Sequence, residues 1–249
     1  IDANQIAQKI TAKTRVIMPV SLYGQVADMD EINAIAAKHN LIVIEDGAQS
    51  FGATYKSKKS CNLSDFGCTS FFPSKPLGCY GDGGAIFTSD DSLADICRQL
   101  RVHGQSERYV HTRIGVCGRM DTLQCAILLA KLKHFDWEVQ QRLLIGERYN
   151  QLLDDRIISR VQQRSDRTSV FAQYSIFVND REQCRIRLAE RGFPTAVHYP
   201  STVDKQPAYL DGDVVENFPA AYEIAAKVIS LPMGPYLKER DQKKIVALL

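Results

Sequence analysis

Leu41-Ile42-Val43-Ile44-Glu45-Asp46-Gly47 decides the fold. Four apolar residues in a row, closed by two acids and a glycine, read as a short strand buried on both faces, the habit of strands in a parallel sheet. Just upstream, Met29, Ile32, Ile35 and Ala36 recur at helical spacing. They follow Asp28, with Glu31 three residues on in a capping-box arrangement, and the pattern stops near Asn40. Before that helix, Arg15 to Val20 is another short apolar run, ending in the turn-like Tyr23-Gly24. After it, Cys68 to Phe72 and Gly84 to Thr88 read as strands, and Asp90 to Arg101 as a helix with Leu93, Ile96, Cys97 and Leu100 on one face. Strands alternating with helices predict an α/β fold with a mostly parallel sheet.

Further along, Asp121 to Leu153 is helical with one weak point around His134 to Trp137, so two helices or one long bent helix leave the sheet. Residues 154–169 are polar and aperiodic, a linker or exposed hairpin. Then come a strand at Phe171 to Val178, a helix at Arg181 to Arg191 ended by Gly192, a short strand near Thr195 to Tyr199, and terminal helical patterns. Residues 1–136 are therefore expected to form part of a large sheet domain, and 137–249 a connecting helix with a small α+β domain.

The 249 residues are 45% apolar and 24% charged, an ordinary globular balance that excludes disorder and collagen-like order. With 31 basic and 29 acidic side chains the formal charge is only +2, so no global field favours nucleic acid or an anionic membrane. The longest apolar runs fall far short of the roughly 20 residues of a membrane span. Seven scattered cysteines without a C-x-x-C pair argue against a disulfide framework or a zinc ribbon and fit a reducing cytoplasm. The sequence starts at Ile1 with no signal-peptide pattern, and the start reads as an internal cut.

Open α/β sheets hold ligands beyond the carboxyl ends of their strands. Asp46 sits at one such end and Lys75 in the loop after another. Such a pair is either a plain salt bridge or a chemical pair. The neighbours of Lys75 weigh on the second side: apolar Phe71 and Phe72, Pro73 and Pro76, then Gly78, Gly81, Gly83 and Gly84. A partly desolvated amine in such a loop is nucleophilic towards carbonyls. Residues 81–86 lack the third glycine of the dinucleotide fingerprint, and no P-loop motif is present, so neither NAD nor a P-loop nucleotide is indicated.

Glu45-Asp46-Gly47-Ala48-Gln49-Ser50-Phe51-Gly52-Ala53, followed by the run from Ser70 to Ala85, resembles the cofactor site of the DegT/StrS-type nucleotide-sugar aminotransferases. Residues 19–25, 118–124, 198–200 and 230–233 match further landmarks of that family in order, so the resemblance covers nearly the whole chain. It implies fold type I of the pyridoxal-phosphate-dependent transferases, with pyridoxal 5'-phosphate as cofactor. By the same resemblance Lys75 is the lysine that joins the cofactor covalently and shuttles a proton. Asp46 pairs with the pyridinium nitrogen, Gln49 lies against the ring, and the Ser70 hydroxyl binds the phosphate. Lysine at position 75, where related sugar dehydratases have histidine, favours transamination over dehydration.

Arg119, His198, Tyr199 and Tyr23 are expected to face substrate. The plainer roles are an ion pair or cap for Arg119, a satisfied structural histidine for His198, and packing for Tyr23. The stretch Tyr80 to Gly84 resembles the enzymes that aminate sugar C3, which points to a UDP-linked ketosugar such as UDP-2-acetamido-2-deoxy-3-dehydro-glucuronate and to surface-polysaccharide precursor synthesis. The resemblance also implies glutamate as amino donor and a homodimer. Two departures stand against it. Cys117 occupies a position where many members have an asparagine reaching the neighbouring subunit's phosphate, and members carry a domain-sized upstream segment with a phosphate-binding loop. The competing expectations are a 4-ketosugar aminotransferase or dehydratase of the same fold, and a catalytically incomplete associating fragment.

Overall fold

In the computed structural model, residues 1–153, 158–210 and 217–249 are described. They form two units, one of Ile1–Val139 with Gln163–Ala172 and another of Gln140–Gln162 with Gln173–Leu249. The sequence reading placed one cut between residues 136 and 137; by contacts the chain crosses between units more than once.

In the first unit a four-stranded sheet runs in the order β1 (Val16–Ile17), β2 (Ile42–Asp46), β5 (Phe66–Ser70), β6 (Gly84–Phe87). The first three are parallel and β6 is antiparallel. Two small ribbons accompany it, β3 (Thr54–Tyr55) with β4 (Lys58–Lys59), and β7 (Gln105–Glu107) with β8 (Val110–His111). Helices α1 (Ala3–Lys9) and α2 (Met29–Lys38) cover β1 and β2. On α2 the buried positions are Met29, Ile32 and Ala36, the periodic set read from the sequence, and they pack with Ile6, Ile17 and Val43. Met29 and Ile32 are fully buried, and each such side chain contributes about 1.5–3 kcal/mol.

The expected capping box does not form. Asp28 makes no side-chain cap to α2, because its Oδ1 instead accepts from the guanidinium groups of Arg164, at 2.7 Å, and Arg167, at 2.8 Å. The 163–169 stretch, expected to be exposed, is the second correction: Arg167 and Ser169 are buried. Arg167 lies over the Tyr55 ring and also donates to the Val26 carbonyl and to Asp166, whose carboxyl it holds below the usual carboxylate range. Residues 154–157 of the expected linker lie outside the described residues. A third correction concerns β2, where Val43 and Glu45 are buried but Ile42 is 39% exposed, so one face is open among the described residues.

Helix α3 (Asp91–Arg101) begins at Asp90, whose carboxylate accepts from Leu93 N, yet none of its residues is buried. Its apolar face and β6 border a cavity of about 1000 Å³. A second apolar cluster joins Phe71, Leu77 and Cys79 to Leu128 and Phe135 of α4 (Thr122–Leu152). Phe51 stacks on Phe135 at 5.6 Å and on Phe87 at 5.9 Å within it. Of the two expectations for 121–153, one continuous 31-residue helix is found.

The second unit is an antiparallel sheet in the order β11 (Val228–Leu231), β10 (Tyr174–Phe177), β9 (Ser159–Arg160), with α5 (Arg181–Glu190), α6 (Pro219–Lys227) and α7 (Glu239–Val246). Ile176, Leu188, Val228, Ile229 and Ile245 form its interior. Strand β11 interrupts the expected terminal helical patterns, since α6 ends at Lys227 and the fully buried run Val-Ile-Ser-Leu follows at once. The short strand near 195–199 is reduced to one bridge, Ala196 to Ser230. No described helix is long and apolar enough to cross a membrane.

Candidate functional site

The carboxyl end of β2 places two adjacent acids on opposite faces of one strand, because side chains alternate. Asp46 is half-buried; its backbone joins the loop after β1 through Asp46 N to Pro19 O and Ser21 N to Asp46 O, both 2.9 Å. Its Oδ1 accepts from Ala48 N at 3.0 Å, which folds the following turn back onto the carboxylate. Gln49 is buried in that turn, and its Oε1 accepts from Tyr23 N at 2.6 Å. Tyr23 holds a left-handed backbone conformation with φ of 59°. Thus Asp46, Gln49 and Tyr23 of the expected site are brought together.

Ser70 ends β5, next to β2. Asp46 pairs with Cys68, and Ser70 lies further along the same edge, so acid and hydroxyl share one end of the sheet. The Ser70 hydroxyl accepts from Phe72 N at 3.2 Å. The loop that follows carries Lys75, half-buried, and is held by backbone bonds: Lys75 N to Phe72 O at 2.9 Å, Cys79 N to Phe71 O at 2.8 Å, Phe71 N to Gly83 O at 2.7 Å. Gly78 is required there, since a Cβ would stand 2.6 Å from Pro73 O and 2.7 Å from Phe72 O. Tyr80 N donates to Gln124 of α4 at 2.7 Å, and Lys131 of the same helix donates to the Gly78 carbonyl.

Glu45 was missed by sequence reasoning. It is fully buried and accepts three hydrogen bonds: from Ser21 Oγ at 2.9 Å and Ser60 Oγ at 2.8 Å on Oε1, and from Cys61 N at 2.7 Å on Oε2. The only signal in the sequence was a charged residue inside a buried strand, which is seldom tolerated unless paired. Burial, with Glu45 beside it, pushes the Cys61 thiol up to about 12, and burial with Asp46 raises Cys68 as well. Both sulfurs stay protonated at neutral pH and add no charge to this end of the sheet.

Arg119 and Cys117 are exposed in the segment before α4, with Cys117 bridged to Val102. His198 and Tyr199 belong to the second unit. His198 Nδ1 lies 2.9 Å from the buried Ser230 hydroxyl, itself 3.1 Å from Ser175 Oγ, and Tyr199 is 51% exposed. In donor chemistry the strand-end set of acid, amine, hydroxyl and carboxamide fits an aromatic nitrogen base that carries an aldehyde and a phosphate.

An α/β protein with a lysine and an acid at the carboxyl ends of neighbouring strands is the class these features define. The DegT/DnrJ/EryC1/StrS aminotransferase family model matches residues 1–249, and the chain belongs to this family. It is 51% identical over its full length to the UDP-2-acetamido-2-deoxy-3-oxo-D-glucuronate aminotransferase of Pseudomonas aeruginosa, covering 69% of that protein. It is 36% identical to the UDP-N-acetyl-3-dehydro-alpha-D-glucosamine 3-aminotransferase of Acidithiobacillus ferrooxidans, matching 98% of this chain and 66% of that one. Among solved structures, S. venezuelae DesV in complex with a ketimine intermediate superposes with a TM-score of 0.95 at 34% identity, covering 100% of this chain and 67% of that one. The chain spans about two thirds of the length of these relatives.

Proposed function

We propose that the protein is a pyridoxal-phosphate-dependent aminotransferase that moves an amino group from glutamate to carbon 3 of a UDP-linked 3-ketosugar of the 2-acetamido-3-dehydro-glucuronate type. The observation that carries this reading is the 51% identity across all 249 residues to the Pseudomonas aeruginosa enzyme named for that reaction, with Lys75 in the loop after β5.

Pyridoxal phosphate, when bound, supplies a carbonyl carbon that condenses with amines and a ring that withdraws electrons from the attached carbon. Lys75 would hold it through its amine and, as a free amine, would serve as the general base for the proton at the reacting carbon. Asp46 would keep a proton on the ring nitrogen, whose charge would drive the electron withdrawal. Gln49, anchored to the Tyr23 backbone, would lie against the ring, and the Ser70 hydroxyl would bind the phosphate. Arg119 is the candidate partner for a carboxylate, since its guanidinium matches two carboxylate oxygens at once. His198, Tyr199 and Tyr23 are the candidates for sugar contacts.

The same reading places the protein in the cytoplasm, as a homodimer, in the synthesis of precursors for lipopolysaccharide such as O-antigen. Light scattering checks the assembly, and a monomer that still turns over substrate contradicts it. The reaction is tested by incubating purified protein with pyridoxal phosphate, glutamate and either a 3-keto or a 4-keto UDP-sugar, following amination by NMR. Amination of the 3-keto sugar is expected, and preference for the 4-keto sugar overturns the regiochemistry.

A further inference from the structure

Glu45 sits at the centre of a branched set of hydrogen bonds that the catalytic reading does not use. Its two oxygens meet three donors, an acceptor-only demand suited to a carboxylate. Because Ser60 spends its proton on Glu45, the 2.6 Å contact between Ser50 and Ser60 must be donated by Ser50. The chain of protons therefore runs from Ser50 through Ser60 to Glu45, and Ser21 enters from the other side. Ser21 N also caps the Asp46 carbonyl, and Tyr23, two residues on, holds Gln49, the neighbour of Ser50. Two of the three contacts thus lead on to residues proposed above to face the cofactor: Ser21 to Asp46 and, through Tyr23, to Gln49, and Ser60 through Ser50 to the neighbour of Gln49.

We infer that Glu45 is a positioning residue, whose buried carboxylate clamps the loops carrying Asp46 and Gln49 at the angle the cofactor ring requires. This rests on the pyridoxal-phosphate reading above. A plain packing role does not need three donors drawn from two separate segments, Ser21 on one side and Ser60-Cys61 on the other. An apolar side chain at position 45 would take the carboxylate acceptor from the Ser21 hydroxyl and the Cys61 N–H, each at a cost of about 1–3 kcal/mol, and leave Ser60 with Ser50.

The test uses Glu45→Gln, which keeps the shape. Its amide oxygen can still accept from Cys61 N, while its NH₂ group faces the two hydroxyls, and these can turn. The cofactor-loaded variant is expected to keep KM for the amino donor within about twofold and to lose about tenfold in kcat, the scale of one misplaced group at a reacting centre. The pH midpoint of its visible absorption band should move downward, because a buried negative charge near the ring has been removed. Ser60→Ala keeps the charge and cuts only the Ser50 branch, so it should lower kcat less and leave the midpoint in place. Wild-type kcat and midpoint in Glu45→Gln would overturn the inference, whatever happens to its melting temperature. If Glu45→Gln does not fold, Ser21→Ala, Ser60→Ala and their combination decide instead: kcat losses at unchanged KM that are not additive support the clamp, and unchanged kcat in all three overturns it. A wild-type protein with no visible cofactor band is a different failure, that of the pyridoxal-phosphate reading itself.

Discussion

The loop after β2 and the loop after β5 stand at the same end of one sheet, yet they are held in different ways. Around Asp46 a side-chain network is added to the backbone bonds: Glu45, Ser21, Ser50, Ser60 and Gln49 reach across sequence gaps to bond one another or the backbone. Around Lys75 the backbone carries most of the restraint, with turns closed at Phe71, Phe72 and Cys79 and a glycine pressed against the Pro73 carbonyl, while Ser70, Gln124 and Lys131 bond only to its main chain. The acid's loop is tuned by polar contacts that can be altered one at a time. The lysine's loop is a rigid piece that tolerates little.

The contrast is broken most severely at the lysine. Lys75→Ala should lower kcat by about 10⁴-fold or more, as removal of a covalent catalyst does, with the fold intact by circular dichroism. Retained turnover would place the chemistry on another residue. Next, Arg167→Ala should destabilise the first unit by about 1–3 kcal/mol in urea unfolding, since the buried Val26 carbonyl loses its donor and the partly exposed Asp28 and Asp166 lose one partner each. A loss below 1 kcal/mol would mean that the 163–169 stretch is dispensable.

Gly78→Ala should cost about 1–3 kcal/mol, because the new methyl meets backbone that cannot move aside. Gly47→Ala meets a side chain instead, the Cys61 sulfur at 2.4 Å, so adding Cys61→Ala should restore part of the lost stability. An equal penalty for Gly47→Ala in both backgrounds would erase the distinction between the two loops.

The smallest effect is on pH dependence. The folded Cys61 thiol sits at about 12 against an ordinary value of 9.0, so the unfolded chain loses this proton first. Its contribution to stability is whole below pH 9 and is lost as pH rises from 9 towards 12. Cys61→Ala should flatten that alkaline loss in a series of urea midpoints; an unchanged slope would show that this thiol is not shielded.

The difference between the loops also explains what the sequence disclosed. Proline and glycine around Lys75 are local signals of backbone constraint, and strand, loop and lysine could be read from them, although β5 ends at Ser70 rather than Phe72. Asp46 and α2 were legible because strand ends and helical spacing are local too. Glu45 escaped because its partners lie far away in sequence, and a sequence window shows an acid without its donors. Asp28 suited an N-cap equally well by local rules, and only the return of Arg164 and Arg167 decides against it. Strand β11 was hidden because no glycine or proline separates it from α6.

Borohydride reduction of the pyridoxal-phosphate-treated protein, followed by peptide mapping, tests the central claim most directly. The cofactor should be fixed to a single peptide at Lys75, with loss of the visible band. Label on any other lysine, or none at all, would contradict the account.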